Sequence, residues 1–282
     1  MRRHCFVSRY AWGILLTLLL LIGCSGQTPL PPTPTPAATP SPPPPPATPP
    51  PPPLLPDTGW EALQPGLERR IIFLLTDDGH PYEQLYLLRL EPARFRFDIA
   101  YHAGEPQTLS DWQAETGALV VMNGGYFTPE FMATGLIVVD GEASGVSYGD
   151  FAGMFAIPPH GPELRWLAEQ PYDPAEPLRA ALQSFPMLIK PGGQPGYPDE
   201  DGRPSRRGVI AQDRQGRLLL LAAGWGSFTL HGLSEYLLRG DLDLDRALNL
   251  DGGTSTGLLL ADPAEGVGAM VAVPTVILVY PR

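Results

Sequence analysis

The chain has 282 residues, of which 19 are basic and 30 are acidic, giving a formal net charge of −11. All but three of the basic residues and all of the acidic ones lie within residues 57–282, so that part alone carries a net charge of −14. Such an acidic domain lacks the basic surface of a nucleic-acid binder and would be repelled by anionic lipid.

Residues 1–23 are predicted to be a lipoprotein signal peptide. Arginines precede an apolar run from Ala11 to Ile22 that reaches only about 18 Å as a helix, too short for a hydrocarbon core of about 30 Å. The run ends on Leu21-Ile22-Gly23-Cys24, which resembles the lipobox of bacterial lipoproteins. Cys24 is therefore the predicted lipidation site, and we expect the chain on the extracytoplasmic side of the cell membrane, held by its lipid only. A simple signal peptide or a weak membrane anchor is the alternative.

Residues 24–56 are predicted to be the lipidated cysteine followed by a disordered, proline-rich stalk. The segment 29–56 holds 17 of the 36 prolines and cannot bury a core. A spacer is the favoured interpretation, and a proline-rich recognition segment is the alternative. No cysteine follows Cys24, which excludes disulfides and cysteine-ligated zinc in residues 57–282.

The remaining elements are mainly strands. A helix is predicted to begin at Ser110, with Gln113 in the capping-box position, and a second helix is capped by Thr229 and ends at Gly240. Asp140-Gly141 is a two-residue hairpin signal. Strands are predicted at residues 70–76, 85–90, 95–101, 118–122, 135–139, 154–157, 184–189, 208–212, 217–223, 247–250, 257–260 and 270–280. This pattern predicts an α+β fold, a single domain at 57–282 with a large mixed, mostly antiparallel β-sheet and a few packed helices.

Two motifs match familiar sites in their letters but not in their context. Gly253–Gly257 fits a serine nucleophile elbow, yet the last histidine, His231, precedes it in the chain. The run Asp241–Asp245 begins like a calcium loop, but Gly252 stands where the bidentate glutamate belongs. The histidines show no ligand spacing. No cofactor is predicted, and a divalent cation stays open.

Three glycine-adjacent polar clusters remain: Asn123–Phe127, Gln183–Met187 with Arg206 and Arg207 farther along, and Asn249–Ser255. Paired glycines let backbone N–H groups approach a ligand, and an arginine matches phosphate oxygens. Asp251 offers the carboxylate that acid/base, nucleophilic or metal chemistry needs. Each cluster alone is typical of a capped turn, whereas the three together predict one site.

The clusters resemble the phosphodiester glycosidase family over about residues 95–282. Val121–Phe127 is similar to its asparagine-glycine-glycine-aromatic segment, and Gly135–Gly141 to the hairpin that follows. Three segments match with one departure each. In Gln183–Leu188, Phe185 replaces a glycine of the family. In Ser205–Ile210, Arg206 is the match, and Arg207 takes the place of a small polar residue. In Thr229–Ser255, Thr254 stands where a third glycine is common.

The resemblance implies an extracytoplasmic glycosidase that hydrolyses a sugar-phosphodiester linkage, with Asp251, Arg206 and Asn123 as catalytic residues. The implied substrate-binding residues are Gly124, Gly125, Gln183, Ser184, Arg207, Gly252, Gly253, Thr254 and Ser255. Glycosidases commonly use two carboxyl groups, and Glu142 or Asp150 is the candidate for the second. A cell-surface lipoprotein that binds sugar phosphates without turnover is the alternative, and a structural envelope lipoprotein is a third interpretation. The sugar, the leaving group, the metal requirement and the oligomeric state stay open.

Overall fold

The structure is a computed structural model that describes residues 55–282. The predicted signal peptide, the Cys24 lipid and nearly all of the stalk lie outside the described residues. The strands, in chain order, are β1 Glu61–Gln64, β2 Leu67–Leu75, β3 Pro81–Leu90, β4 Phe95–Tyr101, β5 Val120–Asn123, β6 Ile137–Val139, β7 Glu142–Ser144, β8 Gly153–Ile157, β9 Glu163–Trp166, β10 Ala180–Ser184, β11 Met187–Lys190, β12 Gln194–Pro195, β13 Ser205–Asp213, β14 Leu218–Phe228, β15 Leu244–Asn249, β16 Leu258–Leu260, β17 Glu265–Val267 and β18 Thr275–Pro281. The helices are α1 Leu109–Thr116 and α2 Leu230–Arg239, and Gly253–Ser255 form one 3₁₀ turn.

The strands form three sheets rather than the one large sheet that the sequence predicts. The first has eight strands in the order β1-β2-β3-β14-β13-β15-β11-β12, and the other two have five each, β7-β6-β10-β8-β9 and β17-β16-β5-β18-β4. Every pairing between these strands is antiparallel, so the expectation of a mixed sheet is wrong. The fold is β-rich, and two short helices are its α component.

One central core joins the three sheets. Ile210 and Leu220 reach it from the eight-stranded sheet, Phe155 from the second sheet, and Met122 and Ile277 from the third. The opposite faces are covered as well: α2 packs on the eight-stranded sheet, and α1 packs on the third. Because the middle strands are buried on both faces, they read in the sequence as continuous apolar runs rather than alternating ones.

Both predicted helices are present, and the caps explain where they begin. Thr229 caps α2 by accepting the Gly232 N–H, as predicted. α1 begins at Leu109, one residue earlier than expected, because its N-cap is Thr108, whose side chain accepts the backbone N–H of Asp111. Asp111, three residues after this cap, takes the capping-box position assigned to Gln113, and its carboxylate accepts the Thr108 hydroxyl hydrogen.

The predicted strand at 184–189 is divided between two sheets. β10 ends at Ser184 and β11 begins at Met187, with Phe185 and Pro186 between them. Proline has no N–H to donate to a strand ladder, which accounts for the break in an otherwise apolar run. The Asp140-Gly141 hairpin is confirmed: β6 and β7 pair around it, and both turn residues have positive φ.

Candidate functional site

Each of the three sheets delivers a strand end to the same place. β5 of the third sheet ends at Asn123, β10 of the second ends at Ser184, and β15 of the first ends at Asn249. The first sheet also contributes Arg206 and Arg207, near the beginning of β13. The three clusters predicted from the sequence are therefore brought together, on rigid strands rather than on long loops.

Asn123 fastens the end of β5 to the turn that carries Asp251. Its Nδ2 donates to the Asp251 carbonyl at 2.8 Å, and its Oδ1 accepts the Gly257 N–H at 3.0 Å. Asn123 is 1% exposed, so its amide is used for holding backbone. Gly125 lets its segment approach the Gln183 backbone closely, because a Cβ at this position would lie 2.6 Å from the Gln183 carbonyl oxygen. The Gly124 N–H donates to the carbonyl of Thr275 at 2.9 Å, so this N–H is already used within the fold.

Asp251 presents a partly buried carboxyl at the end of this turn. Burial raises its pKa, while hydrogen bonds from the Ser255 hydroxyl and the Gly252 N–H oppose the shift. The Gly252 N–H lies 2.9 Å from Asp251 Oδ1. Gly253 has a φ of +63°, which lets the chain reverse so that Ser255 is buried and Thr254 is exposed.

Arg206 and Arg207 are both buried, and they point to different neighbours. Arg206 Nη2 donates to the Gly268 carbonyl at 2.7 Å. Arg207 donates from Nε to the Phe228 carbonyl and from Nη2 to the Arg203 carbonyl. Burial lowers the pKa of each guanidinium, although arginine stays charged. Only Arg207 lies within electrostatic reach of Tyr126.

Tyr126 connects the clusters and has no role in the sequence interpretation. Its hydroxyl accepts a hydrogen bond from Asn249 Nδ2 at 2.8 Å. Burial and the nearby Asp251 carboxylate raise its pKa to about 12, against the opposing effect of Arg207. It is therefore a neutral phenol at physiological pH, within electrostatic reach of both Asp251 and Arg207. Its position in the asparagine-glycine-glycine-tyrosine run was the signal that could have identified it.

Gln183 holds the loop at 145–152, which follows β7. Its buried amide accepts the Tyr148 N–H at 2.7 Å and donates to Ser147 Oγ at 2.9 Å. The Tyr148 ring lies close enough to Asp251 for that carboxylate to raise its pKa, although burial is the larger cause. No local sequence pattern identifies Tyr148 as a site residue, because the contact depends on how two sheets pack.

Unpaired polar atoms are concentrated around this turn. Among residues 55–282, six buried side-chain polar atoms lack a hydrogen-bond partner within the protein, and four of them belong to the predicted clusters or follow them directly: Ser184 Oγ, Arg206 Nε, Asn249 Oδ1 and Thr256 Oγ1. Native folds leave few such atoms, and a group of them in one place is typical of a functional site.

Unpaired positive charge is concentrated in the same region. Eleven of the fifteen arginines in residues 55–282 form ion pairs with carboxylates. The basic residues outside these pairs are Lys190, Arg203, Arg206, Arg207 and Arg282. All but Arg282 belong to the start of β13, to the loop before it, or to the cavity described next. Arg206 and Arg207, which adjoin Gly252 of the Asp251 turn, are thus without carboxylate partners in an acidic domain.

A cavity of about 590 Å³ adjoins the turn. Tyr126 and Phe185 form the wall nearest to Asn249, whose Nδ2 also donates to the Phe185 carbonyl at 3.0 Å. The Phe185 ring packs 4.6 Å from that of Tyr126, centroid to centroid. The remaining lining residues are Asp150, Phe151, Trp166, Ala168, Pro186, Met187, Lys190, Gly196, Tyr197 and Leu230. Asp251 does not line the cavity and lies beyond the Tyr126 wall.

The two candidates for a second carboxyl group are in different places. Asp150 lines the cavity on the same loop as Tyr148. Glu142 is exposed in the β6–β7 hairpin, next to the Asp140-Gly141 turn. The geometry therefore favours Asp150. Within residues 55–282, no group of three or more His, Cys, Asp or Glu side chains has the arrangement of a metal site. None of the helices in this part of the chain is long and apolar enough to cross a bilayer.

Comparisons with known proteins bear on the family and on the fold. A family model described as phosphodiester glycosidase matches residues 116–280. The fold is similar to the zebrafish N-acetylglucosamine-1-phosphodiester alpha-N-acetylglucosaminidase catalytic domain auto-inhibited by pro-peptide, with a TM-score of 0.62 and 19% identity over 79% of this chain and 86% of that one. It is also similar to a hypothetical protein from Synechocystis, with a TM-score of 0.55 and 15% identity over 77% of this chain and 62% of that one. A sequence search of curated proteins gives no significant match. At these identities the structural likenesses show the fold alone.

Proposed function

The chain belongs to the phosphodiester glycosidase family, and from this membership and the site we propose that it hydrolyses the bond between a sugar's anomeric carbon and a phosphodiester oxygen. The observation that supports this most strongly is the free positive charge beside Asp251. A domain with a net charge of −14 repels anions in general. Leaving Arg207 and its neighbours without carboxylate partners is costly unless an anionic ligand uses them.

We assign the phosphate to Arg207 rather than to Arg206. Arg207 lies within electrostatic reach of Tyr126, which in turn lies near Asp251. Both guanidinium groups donate to backbone carbonyls, Arg206 to Gly268 and Arg207 to Phe228 and Arg203, so the proximity to Tyr126 is what distinguishes Arg207. A planar guanidinium matches two phosphate oxygens, and burial strengthens that contact. The sequence resemblance assigns this role to Arg206, so the two arginines are compared directly below.

Asp251 is assigned to the bond-breaking step. Its raised pKa makes it a better proton acceptor than an exposed aspartate. In the simplest form, water forms a bond to the anomeric carbon while Asp251 takes its proton. The bond from that carbon to the phosphate oxygen breaks, and its electron pair leaves with the phosphate. The products are a free sugar and a phosphate monoester. Direct attack by the Asp251 carboxylate, followed by hydrolysis, gives the same products.

Tyr126 is suited to help the leaving phosphate. Its oxygen already accepts the Asn249 N–H, so its own hydroxyl hydrogen is free to donate. A pKa of about 12 keeps that hydrogen in place at physiological pH. Asn123 holds the Asp251 turn, and Gln183 holds the Tyr148 loop. These two amides are positioning residues in this scheme, the buried Ser255 hydroxyl is bonded to Asp251, and the exposed Thr254 is left to contact the sugar.

The second candidate is a binding protein without turnover. The observation that favours it is Phe185, whose ring packs among Tyr126, Tyr148 and Phe151 where the family commonly has a glycine. This cluster narrows the approach over β10. We propose the enzyme because a partly buried carboxyl and arginines without carboxylate partners occur together. From the Leu21–Cys24 run we propose that a lipid on Cys24 holds it at the extracytoplasmic face.

The test is an assay of the purified protein against a panel of glycosyl phosphodiesters, with detection of free reducing sugar. Asp77→Asn is the matched control for Asp251→Asn, because Asp77 is exposed on a turn between β2 and β3. We expect turnover by the wild type and by Asp77→Asn, with loss in Asp251→Asn. Stoichiometric binding without product in all three proteins would identify the binding protein instead.

A further inference from the structure

The far wall of the cavity combines aromatic rings with the single lysine of the chain. Lys190 Nζ lies 4.7 Å from the centroid of the Trp166 ring. Tyr197 and Phe151 also line this space. Within residues 55–282, no carboxylate lies at ion-pair distance from Lys190. A cation at an aromatic face, without an acidic partner, is arranged to meet an anion.

The cavity continues from the proposed phosphate position. Tyr126 and Tyr197 both line it, and both lie within electrostatic reach of Arg207. A phosphate on Arg207 therefore lies on the cavity side of Asp251. A volume of about 590 Å³ is within the usual range of about 300–1,000 Å³ for small-molecule sites. The part of a substrate beyond the phosphate has room here.

Strand register separates Lys190 from Asp251 along the sheet. Ile189 pairs with Ala247, so Lys190 is level with Arg246, and Asp251 is five residues farther along. Five residues of strand span roughly 17 Å. Val209 pairs with Asn249, so Arg207 is level with Asp251 and stands at a different level of the sheet from Lys190. With the phosphate on Arg207, an anion at Lys190 is a second charge on the substrate.

We propose that this cavity binds the leaving group as a sugar ring that carries its own carboxylate or phosphate, stacked on the aromatic wall and held by Lys190. The inference rests on the proposed function and names its substrate class. Asp150, on the exposed loop at the cavity edge, is placed to accept hydrogen bonds from ring hydroxyls. The cation–π contact with Trp166 leaves the N–H donors of Lys190 free for an anionic group, which a neutral leaving sugar does not supply.

The kinetic test uses three phosphodiesters with the same glycosyl group and leaving sugars that differ only at C6, as hydroxyl, carboxylate or phosphate. We expect kcat/KM to favour an anionic leaving sugar by about tenfold or more, and Lys190→Gln to bring that ratio close to one. Arg94→Gln, which removes an exposed cation elsewhere, should keep the ratio. The better of the two anions identifies the acid. Equal use of all three by the wild type, or a preference that survives Lys190→Gln, overturns the inference.

A binding measurement separates this inference from the proposed function. Glucuronate, glucose 6-phosphate and glucose are titrated into the wild type and Lys190→Gln, followed by tryptophan fluorescence and NMR line shifts. Lysine-dependent binding of an anionic sugar with no hydrolysis of any diester would sustain the subsite and reject the enzyme. Hydrolysis with no lysine-dependent binding of either anionic sugar would sustain the enzyme and reject the subsite.

Discussion

At the scale of single residues, the substitution Asp251→Asn is predicted to have opposite effects on stability and on activity. Burial raises its pKa above the ordinary 3.8, so the folded protein binds this proton more tightly than the unfolded chain. The charged carboxylate therefore costs stability as pH rises through and above the ordinary aspartate range. Asp251→Asn removes that cost and can keep the contacts to Gly252 and Ser255. The melting temperature of the variant relative to wild type should thus increase from pH 4 to pH 7.

The same substitution should lower kcat by about 10²–10⁴ while substrate binding changes little. Thermal unfolding across pH and steady-state kinetics measure the two effects on one protein preparation. A clear loss of melting temperature at neutral pH with near-normal kcat would make Asp251 a turn residue and nothing more. Asp150 would then be the next carboxyl group to replace.

The adjacent arginines give a paired comparison. Arg207→Gln should raise KM by about tenfold or more, because a charge-assisted contact to phosphate is lost. Arg206→Gln removes the donor to the Gly268 carbonyl and should mainly lower the melting temperature, with a smaller change in KM. Arg94→Gln serves as the surface control. The reverse order of KM effects would return the phosphate to Arg206, as the sequence resemblance implies.

Part of the site can be predicted from sequence because its residues stand in recognisable runs. Asn123, Asp251 and the paired glycines follow buried strands, and the structure does bring these runs together. Their individual roles could not be predicted. The Asn123 amide bonds to backbone groups of Asp251 and Gly257, which are distant in sequence, so its role depends on the tertiary fold. Lys190 and Tyr197 carry no motif, and only the packing of strands places them in one cavity.

At the scale of elements, the loop at 145–152 depends on one buried side chain of β10. Gln183→Leu removes two hydrogen bonds to the loop and leaves the Tyr148 N–H without its acceptor. We expect a destabilisation of about 1–3 kcal/mol and faster hydrogen exchange confined to this loop. Gln113→Leu, at an amide whose Nε2 has no partner, is the matched control. Unchanged exchange at Tyr148 in the Gln183 variant would show that the loop is held by its ring contacts instead.

The elements differ in how far local sequence determines them. The β6–β7 hairpin is predictable because Asp140 and Gly141 adopt positive φ and set the register alone. Pro186 already indicates the break in the predicted strand at 184–189, whereas the division into three sheets is not predictable, because apolar runs buried on both faces give no sign of which sheet they join. The N-cap of α1 is ambiguous in the sequence, because threonine at 108 and serine at 110 are both residues that cap helices well.

At the scale of the whole molecule, the lipoprotein assignment is a prediction about residues outside the described part. The assignment is based on the short apolar run that ends at Leu21-Ile22-Gly23-Cys24. Cys24→Ala should move the protein from the membrane fraction to the soluble fraction of a bacterial host, or stall its processing, and lipid labelling should be lost. Membrane protein that is still labelled in the Cys24→Ala variant would contradict the assignment.

The central claim is that the protein breaks the bond between carbon and oxygen at the anomeric centre, rather than the bond between phosphorus and oxygen. Hydrolysis of a glycosyl phosphodiester in ¹⁸O-labelled water distinguishes the two directly. Mass spectrometry of products isolated before the free sugar exchanges its anomeric oxygen should find the label on the sugar and none on the phosphate monoester. Label on the phosphate would show attack at phosphorus and would contradict the roles given to Asp251 and Arg207.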